Sequence, residues 1–398
     1  MKALLLENVH PLAEHILKEA GFEVETRGGA LDEDELIEAL QGVQLLGIRS
    51  KTEVTDRVLD NAPDLYAIGA FCIGTTQIAL KHAAGRGIVV FNAPFSNTRS
   101  VVELAIAEII VMARRLTEKD KALHEGVWNK DATGAHEIRG RTLGIVGYGN
   151  IGSQLSVVAE MLGLKVYFYD SDDKLALGNA TRCGSLDELL EVAEVVTLHV
   201  DDRKGNAGFF GAEQFAKMRP RSLFLNLSRG FVVDYDALAQ NLRSGHIAGA
   251  AVDVFPKEPK KRGDAFTSPL QGIPNVVLTP HVGGSTEEAQ EDIGRFVAGK
   301  LRDYMQRGTT TLNVNLPGLS LPPRFGGKRI LHLHQNVPGV LGKVNSLLAK
   351  HEVNIEGQAL NTAGEIGYGV TDVAELPRAA VQELLAMPET IRLAIIDG

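Results

Sequence analysis

Three short segments of this 398-residue chain carry side chains suited to acid–base and anion chemistry, and each follows an apolar stretch that reads as a β-strand. Asn226-Leu227-Ser228-Arg229-Gly230 brings an arginine. Asp253-Val254-Phe255-Pro256-Lys257-Glu258-Pro259 brings acids, and Thr279-Pro280-His281-Val282-Gly283-Gly284 brings a histidine. The guanidinium of Arg229 can clamp a carboxylate and polarise a neighbouring carbonyl oxygen with its fork of donors. His281 is the natural general base for a hydroxyl near neutral pH, and the acid in the reverse direction. A paired Glu258 would orient the imidazole and raise its pKa by favouring the charged form. Together these groups meet the needs of hydride transfer to or from a 2-hydroxy acid, with a dinucleotide supplying the redox chemistry and no metal required. Singly, each has a plainer reading: a helix-capping charge, a surface acid and a satisfied loop histidine.

What holds these segments in place is an open α/β sheet, in which ligands bind beyond the carboxyl ends of the strands. The strand Leu143 to Val146 runs directly into Gly147-Tyr148-Gly149-Asn150-Ile151-Gly152, a helical stretch follows, and a second strand, Lys165 to Tyr169, ends at Asp170. In this dinucleotide fingerprint Gly147 permits the tight turn, Gly149 lets backbone approach a pyrophosphate, and Gly152 lets helix pack on strand. The helix N-terminus presents unpaired N–H groups to the phosphates. Asp170 can accept the adenosine ribose hydroxyls and would repel a 2′-phosphate, which favours NAD over NADP. A bare glycine match is weak evidence; strand, turn, helix, strand and terminal acid in order are much stronger.

Composition narrows the remaining classes. A net charge of −9, from 41 basic and 50 acidic residues, argues against a non-specific nucleic-acid surface, so an anionic substrate needs a local basic cluster. The two cysteines, Cys72 and Cys183, belong to no CxxC or CxxH pair; they read as small core residues in a reducing cytoplasm, with no disulfide framework and no structural zinc. The N-terminus, broken by Glu7, reads as a first strand and not as a signal peptide. The richest apolar window, Val101 to Ala113, is cut by Glu103 and Glu108 and suits an amphipathic helix, so no membrane association is expected.

From the N-terminus, strands (Ala3–Leu6, Val43–Ile48, Leu65–Ala70) alternate with helices (Pro11–Ala20, Asp32–Leu40), which implies a parallel unit without a phosphate turn. A helix from Val101 to Arg115 leads to the fingerprint region, whose strands continue through Val195–Val200, Leu223–Leu227, Ala248–Asp253 and Val276–Leu278. A long helix begins near Thr286 with Ser285 as N-cap. Pro- and Gly-rich residues between Leu316 and Gly327 read as a linker, and the remainder has a β-α-β-β-α-β order, a small ferredoxin-like module.

Beyond the catalytic segments, several stretches carry a family resemblance. These are Gly47-Ile48-Arg49-Ser50-Lys51-Thr52, Phe71-Cys72-Ile73-Gly74-Thr75, Val90 to Val101, Phe266-Thr267-Ser268-Pro269-Leu270 and His281 to Gln290. With them the chain resembles the D-isomer-specific 2-hydroxyacid dehydrogenase family over essentially its whole length, and within it the phosphoglycerate-oxidising members that end in an ACT domain. The resemblance implies a Rossmann-type NAD-binding domain (98–284) inserted in a flavodoxin-like substrate domain (1–97 and 285–320). A linker (321–327) and a ferredoxin-like ACT regulatory domain (328–398) complete the α/β plus α+β architecture. It implies NAD-dependent oxidation of 3-phosphoglycerate to 3-phosphohydroxypyruvate, the first step of L-serine synthesis, in a cytoplasmic homodimer or homotetramer. Arg229, Glu258 and His281 would be the active-site set. Cofactor contacts would fall on Gly147, Gly149, Asn150, Ile151, Gly152, Asp170, Leu227, Ser228, Arg229, Asp253, His281, Val282, Gly283 and Gly284. Arg49, Ser50, Lys51 and Asn97 would hold the substrate's anionic groups, and His334, Asn336 and Asn354 would bind L-serine as feedback inhibitor. Amides and an imidazole can satisfy the ammonium and carboxylate of an amino acid.

Other readings stay open at this level. His332 and His334, two apart on one strand face, could chelate a metal or be ordinary polar residues. A different hydroxyacid dehydrogenase, a 2-oxoglutarate reductase or an NAD-sensing scaffold would share much of the pattern. The chain also departs from the family in Asp201 and the loop to Gly205, in Phe231, and in Thr76 and Ala79. Its only tryptophan, Trp128, reads either as a contact between copies or as a core residue.

Overall fold

The computed structural model describes residues 1–259 and 263–397, which divide into two compact units: Met1–Ser96 with the segment from Gln290 onward, and Asn97–Ala289. The first unit opens with β1 (Lys2–Leu5), α1 (Pro11–Glu19), β2 (Glu23–Thr26), α2 (Glu33–Ala39), β3 (Leu45–Ile48), α3 (Asp56–Asp60), β4 (Ala67–Ala70), α4 (Leu80–Gly85) and β5 (Val89–Phe91). Its sheet has the order β2-β1-β3-β4-β5, parallel throughout, the flavodoxin-like arrangement. Strands β3, β4 and β5 are buried at every position, as a parallel sheet covered on both faces requires. Local signals set the helices: Asp32 and Glu35 form a reciprocal capping box at the start of α2.

The second unit contains α5 (Thr98–Ala113), α6 (Leu116–His124), β6 (Thr142–Val146), α7 (Asn150–Met161), β7 (Lys165–Tyr169), β8 (Thr181–Arg182), α8 (Leu186–Val192), β9 (Val195–Leu198), α9 (Ala212–Lys217), β10 (Ser222–Asn226), α10 (Tyr235–Ser244), β11 (Ile247–Val252) and β12 (Val276–Leu278). The strands pair in parallel in the order β12-β11-β10-β9-β6-β7-β8. Strand order reverses between β6 and β9, so the Rossmann switch point lies at the fingerprint turn. Trp128, on the segment after α6, is 81% exposed and is no core residue.

The long helix α11 spans Glu287–Arg307. Its cap differs by one residue from the sequence expectation: Thr286 Oγ1, not Ser285, accepts the Ala289 N–H, at 3.1 Å. Then follow β13 (Lys328–Gln335), α12 (Val340–Lys350), β14 (Ile355–Ala363), β15 (Ile366–Val373), α13 (Arg378–Leu385) and β16 (Thr390–Asp397), an antiparallel sheet of order β14-β15-β13-β16.

This module does not hang on a free linker. One sheet face buries Ile330 and Val373 under Val344, Leu348 and Leu384 of its helices. The opposite face places Leu331, Leu333, Tyr368 and Val370 in one core with Leu5, Phe91, Val297 and Leu301. Polar ties complete the join. Tyr368 donates to the Gly308 carbonyl at 2.6 Å, and Arg329, 2% exposed, grips Asp372 at 2.7 and 2.8 Å while donating to the carbonyls of Arg307 and Pro322. Arg392 bonds the carbonyls of Leu65 and Pro63 and lies 4.1 Å from the Tyr66 ring centre. Cys183 is buried, whereas Cys72 is half-buried and lies against the carbonyls of Arg49 and Gly74. Among the described residues no helix is long and apolar enough to cross a membrane.

Candidate active site

The fingerprint turn has the shape its glycines imply. Gly147 sits at φ +92°, and a Cβ there would lie 2.5 Å from the His199 carbonyl oxygen. One on Gly152 would lie 2.2 Å from the Gly147 oxygen, while Gly149 has nothing within 4 Å. The outer glycines are therefore needed for close packing, and the middle one leaves open space. Gly149 caps α7 without a side chain, so the N–H groups of the first turn, at Asn150, Ile151 and Gly152, face that space for an anion. Asp170, at the end of β7, accepts the Tyr148 N–H at 2.7 Å and the Asp172 N–H at 2.9 Å, leaving further lone pairs on both carboxylate oxygens. These features fit a dinucleotide. His199 at the end of β9 has no counterpart in the sequence reading: burial pushes its imidazole down to about 4, so the ring is neutral, with Nε2 3.0 Å from Thr197 Oγ1. In the loop that departs from the family, Arg203 closes back on Asp201 with its Nε at 2.7 and 2.9 Å.

The three chemistry-bearing segments converge because β10, β11 and β12 are neighbours and end on one side of the sheet. Asp253, 2% exposed, anchors the last segment: its carboxylate accepts Thr279 Oγ1 at 2.6 Å and the N–H groups of Val282 and Gly283 at 2.8 Å each. Its carbonyl accepts the His281 N–H at 2.8 Å. So held, His281 adopts φ +56°, an uncommon left-handed conformation for a residue with a side chain, of the kind that persists where surroundings over-determine it. Its Nδ1 lies 2.9 Å from Glu258 Oε2, and among the described residues Nε2 has no partner. Glu258 is steadied through Oε1, which accepts the Phe255 N–H at 3.0 Å.

The first segment is tied to the second through the core. Asn226 Nδ2 donates to the Arg229 carbonyl and to Tyr235 Oη, and Tyr235 in turn donates to the Val254 carbonyl at 2.6 Å. Ser228 is buried on Asn226 Oδ1, and Leu227 is buried. The hydrogen bond to Glu258 raises the His281 pKa against the effect of burial, with help from the charges of Glu258 and Asp253 and opposition from Arg229. Burial pushes the Glu258 carboxyl up, but His281, the Phe255 N–H and Arg229 together hold it below the usual range. The arrangement is a charge-balanced acid–imidazole pair with a guanidinium nearby, able to take a proton through Nε2 while Arg229 holds an anion.

Asn97 is the residue before α5, and its Oδ1 is buried without a protein partner; a Cβ on Gly284 would lie 2.3 Å from its Nδ2. Arg49, Ser50 and Lys51 belong to the other unit, directly after β3. Neither Arg49 nor Lys51 makes an ion pair among the described residues. Of the regulatory candidates, His334 is buried with Nδ1 2.8 Å from the Gln335 carbonyl, Asn336 donates to the Gly364 carbonyl, and Asn354 is exposed. His332 bonds Thr390 Oγ1 at 2.8 Å and lies with its ring 5.2 Å from that of His334. Among the described residues no group of three His, Cys, Asp or Glu side chains could hold a metal ion.

A doubly wound parallel sheet with this turn, and with arginine, glutamate and histidine at successive strand ends, defines an NAD-dependent oxidoreductase. Residues 106–283 match the family described as D-isomer specific 2-hydroxyacid dehydrogenase, NAD binding domain, and residues 330–392 match an AHAS small subunit-like ACT domain. The chain belongs to the D-isomer specific 2-hydroxyacid dehydrogenase family. It is 49% identical over 400 residues to D-3-phosphoglycerate dehydrogenase of Escherichia coli (strain K12), covering 100% of this chain and 97% of the relative. To the enzyme of that name from Haemophilus influenzae it is 50% identical over 374 residues, covering 94% and 91%. Among solved structures, a D-lactate dehydrogenase from Sporolactobacillus sp. superposes with a TM-score of 0.69 at 29% identity, covering 79% of this chain and 99% of that one.

Proposed function

We propose that this chain oxidises D-3-phosphoglycerate to 3-phosphohydroxypyruvate, the first step toward L-serine. The carrying observation is the His281–Glu258 pair at 2.9 Å beside Arg229, in a chain 49% identical to a D-3-phosphoglycerate dehydrogenase over its full length. NAD, when bound, accepts the hydride from the substrate's hydroxyl-bearing carbon. Arg229 holds the substrate carboxylate and stabilises charge on the adjacent oxygen. His281 takes the hydroxyl proton through Nε2, and Glu258 stabilises the resulting imidazolium through Nδ1. Asp253 keeps the loop in register for that transfer. Asn97 donates to the substrate's anionic group through its amide Nδ2, and Arg49, Ser50 and Lys51 supply the local positive charge that an acidic protein needs for a phosphorylated substrate.

The same reading extends to control and assembly. The C-terminal module binds L-serine through His334, Asn336 and Asn354, and couples it to the catalytic machinery through the core it shares with the first domain. Strands β14 and β16 leave edges available to a second copy, which supports a homodimer or homotetramer in a reducing cytoplasm. Purified protein is assayed for NADH formation from 3-phosphoglycerate with the keto product trapped, with and without L-serine. Turnover specific to the phosphorylated acid is expected. No turnover, or equal turnover of unphosphorylated D-2-hydroxy acids, overturns the substrate assignment; rates unchanged by millimolar serine overturn the regulatory one.

A further inference from the structure

Glu7 follows β1 in the first unit and is 8% exposed, yet it makes no ion pair among the described residues. Its carboxylate is satisfied instead by three backbone donors of one distant loop. Oε1 accepts the N–H groups of Arg49 at 3.2 Å and Thr52 at 2.8 Å, and Oε2 accepts that of Lys51 at 3.0 Å. N–H groups at positions 49, 51 and 52 of one short loop converge on one carboxylate, an anion-binding concavity of the nest kind. Here the chain's own carboxylate fills it.

The arrangement is held against backbone strain. Glu7 sits at φ +61° and Asn8 at φ +54°, consecutive left-handed residues with side chains, a conformation disfavoured most for Glu7 and better tolerated by Asn8. Cross-ties keep them there: the Glu7 N–H bonds the Gly29 carbonyl at 3.2 Å, and Asn8 Nδ2 bonds that of Gly28 at 2.8 Å. Strain of this kind, maintained at the carboxyl end of a parallel strand, marks a place where geometry matters.

We propose that Glu7 is a positioning residue for the anionic end of the substrate. By occupying the nest it fixes the 49–52 loop and leaves anion recognition to the side chains of Arg49 and Lys51, whose charges it does not cancel by pairing. The inference rests on the reading of Arg49 and Lys51 as substrate-binding. A ligand phosphate at this loop meets two cations, unpaired among the described residues, on a backbone tied down by Glu7, and loss of Glu7 returns the loop to competing conformations.

The test compares the full-length wild type with Glu7→Ala, Glu7→Gln, Arg49→Ala and Lys51→Ala. The readouts are steady-state kinetics with 3-phosphoglycerate and NAD, and amide hydrogen exchange. Glu7→Ala is expected to speed exchange at Arg49, Lys51 and Thr52 and to raise KM for 3-phosphoglycerate about tenfold or more. Its kcat and KM for NAD stay near wild type. Glu7→Gln, which keeps one acceptor oxygen, falls between, and it decides the matter if the alanine variant does not fold. A Glu7 variant with a freed loop but unchanged KM for the phosphorylated acid, where Arg49→Ala raises it, overturns the positioning role alone. Parallel loss of kcat and of both KM values marks a purely structural residue and also overturns it. If Arg49→Ala and Lys51→Ala leave that KM unchanged, the underlying substrate-loop reading falls.

Discussion

Replacing Gly230 with alanine tests the catalytic geometry without removing any functional group. Gly230 follows Arg229, and a Cβ there would lie 2.0 Å from the carbonyl carbon of Phe255, 2.1 Å from its oxygen and 2.5 Å from Pro256 N. Real Cβ contacts below 3.0 Å essentially never occur, and these neighbours are backbone atoms that cannot rotate away. The two segments must therefore part by about 1 Å. Neither can yield freely, because Phe255 N–H is bound to Glu258, the Val254 carbonyl to Tyr235, and the Arg229 carbonyl to Asn226. The displacement is passed to the spacing between Arg229 and the Glu258–His281 pair. Misplacement of reacting groups by about 1 Å lowers rates about hundredfold, while overpacking costs about 1–3 kcal/mol of stability. Steady-state kinetics on Gly230→Ala should show kcat/KM for 3-phosphoglycerate reduced by about that factor, with NAD affinity by calorimetry largely kept and a modest fall in Tm. Gly342→Ala, on α12 with nothing within 4 Å, is the matched control and should leave the kinetics unchanged while slightly raising Tm, as alanine does for glycine in a helix. Wild-type turnover by a folded Gly230→Ala protein would refute the claim that this backbone contact sets the spacing of the site.

Two further predictions concern protonation. Because its hydrogen bond to Glu258 raises the His281 pKa, Glu258→Gln removes the preference for imidazolium and lowers that pKa. Oxidation needs the neutral ring, so the limb of the kcat/KM profile where it deprotonates should move to lower pH while kcat falls by about tenfold or more; a limb that stays in place counts against the pairing. Glu108 is 3% exposed with both carboxylate oxygens unpartnered, and burial followed by the charge of Asp253 pushes it up to about 8. A carboxyl raised in the folded state contributes stability that is present below its unfolded pKa and is lost as pH rises through the folded one. Glu108→Gln should therefore be more stable than wild type by a margin that grows between about pH 5 and 8 and levels off above at up to a few kcal/mol, read as a growing difference in Tm. A gain independent of pH excludes the buried charge as its cause.

Much of the site was legible because its signals are local or periodic. The spacing from Gly147 to Asp170 specifies a turn, a helix N-terminus and a strand end within one βαβ unit. Arg229, Glu258 and His281 could be grouped because all follow apolar strands, and strands of one parallel sheet end on one side. Glu7 left no such trace: its partners are backbone amides 42 to 45 residues away, which no side-chain motif encodes. His199 was likewise invisible, since its burial against the fingerprint turn depends on β9 lying beside β6. The attachment of the C-terminal module was half-visible. β13 is buried at six consecutive positions, a pattern of a sheet covered on both faces, but which partner covers the second face is a tertiary fact.

The amino-acid order by itself therefore determined the elements and the dinucleotide turn, and put Arg229, Glu258 and His281 just beyond strand ends, because propensity, capping and turn chemistry act over a few residues. Only the folded chain decided that Asp253 clamps His281 into a left-handed conformation, that Glu7 fills the nest of the 49–52 loop, and that the last module shares a core with the first domain. Those outcomes depend on buried carboxylates finding donors and apolar faces finding cover, and the partners that satisfy them come from remote parts of the chain.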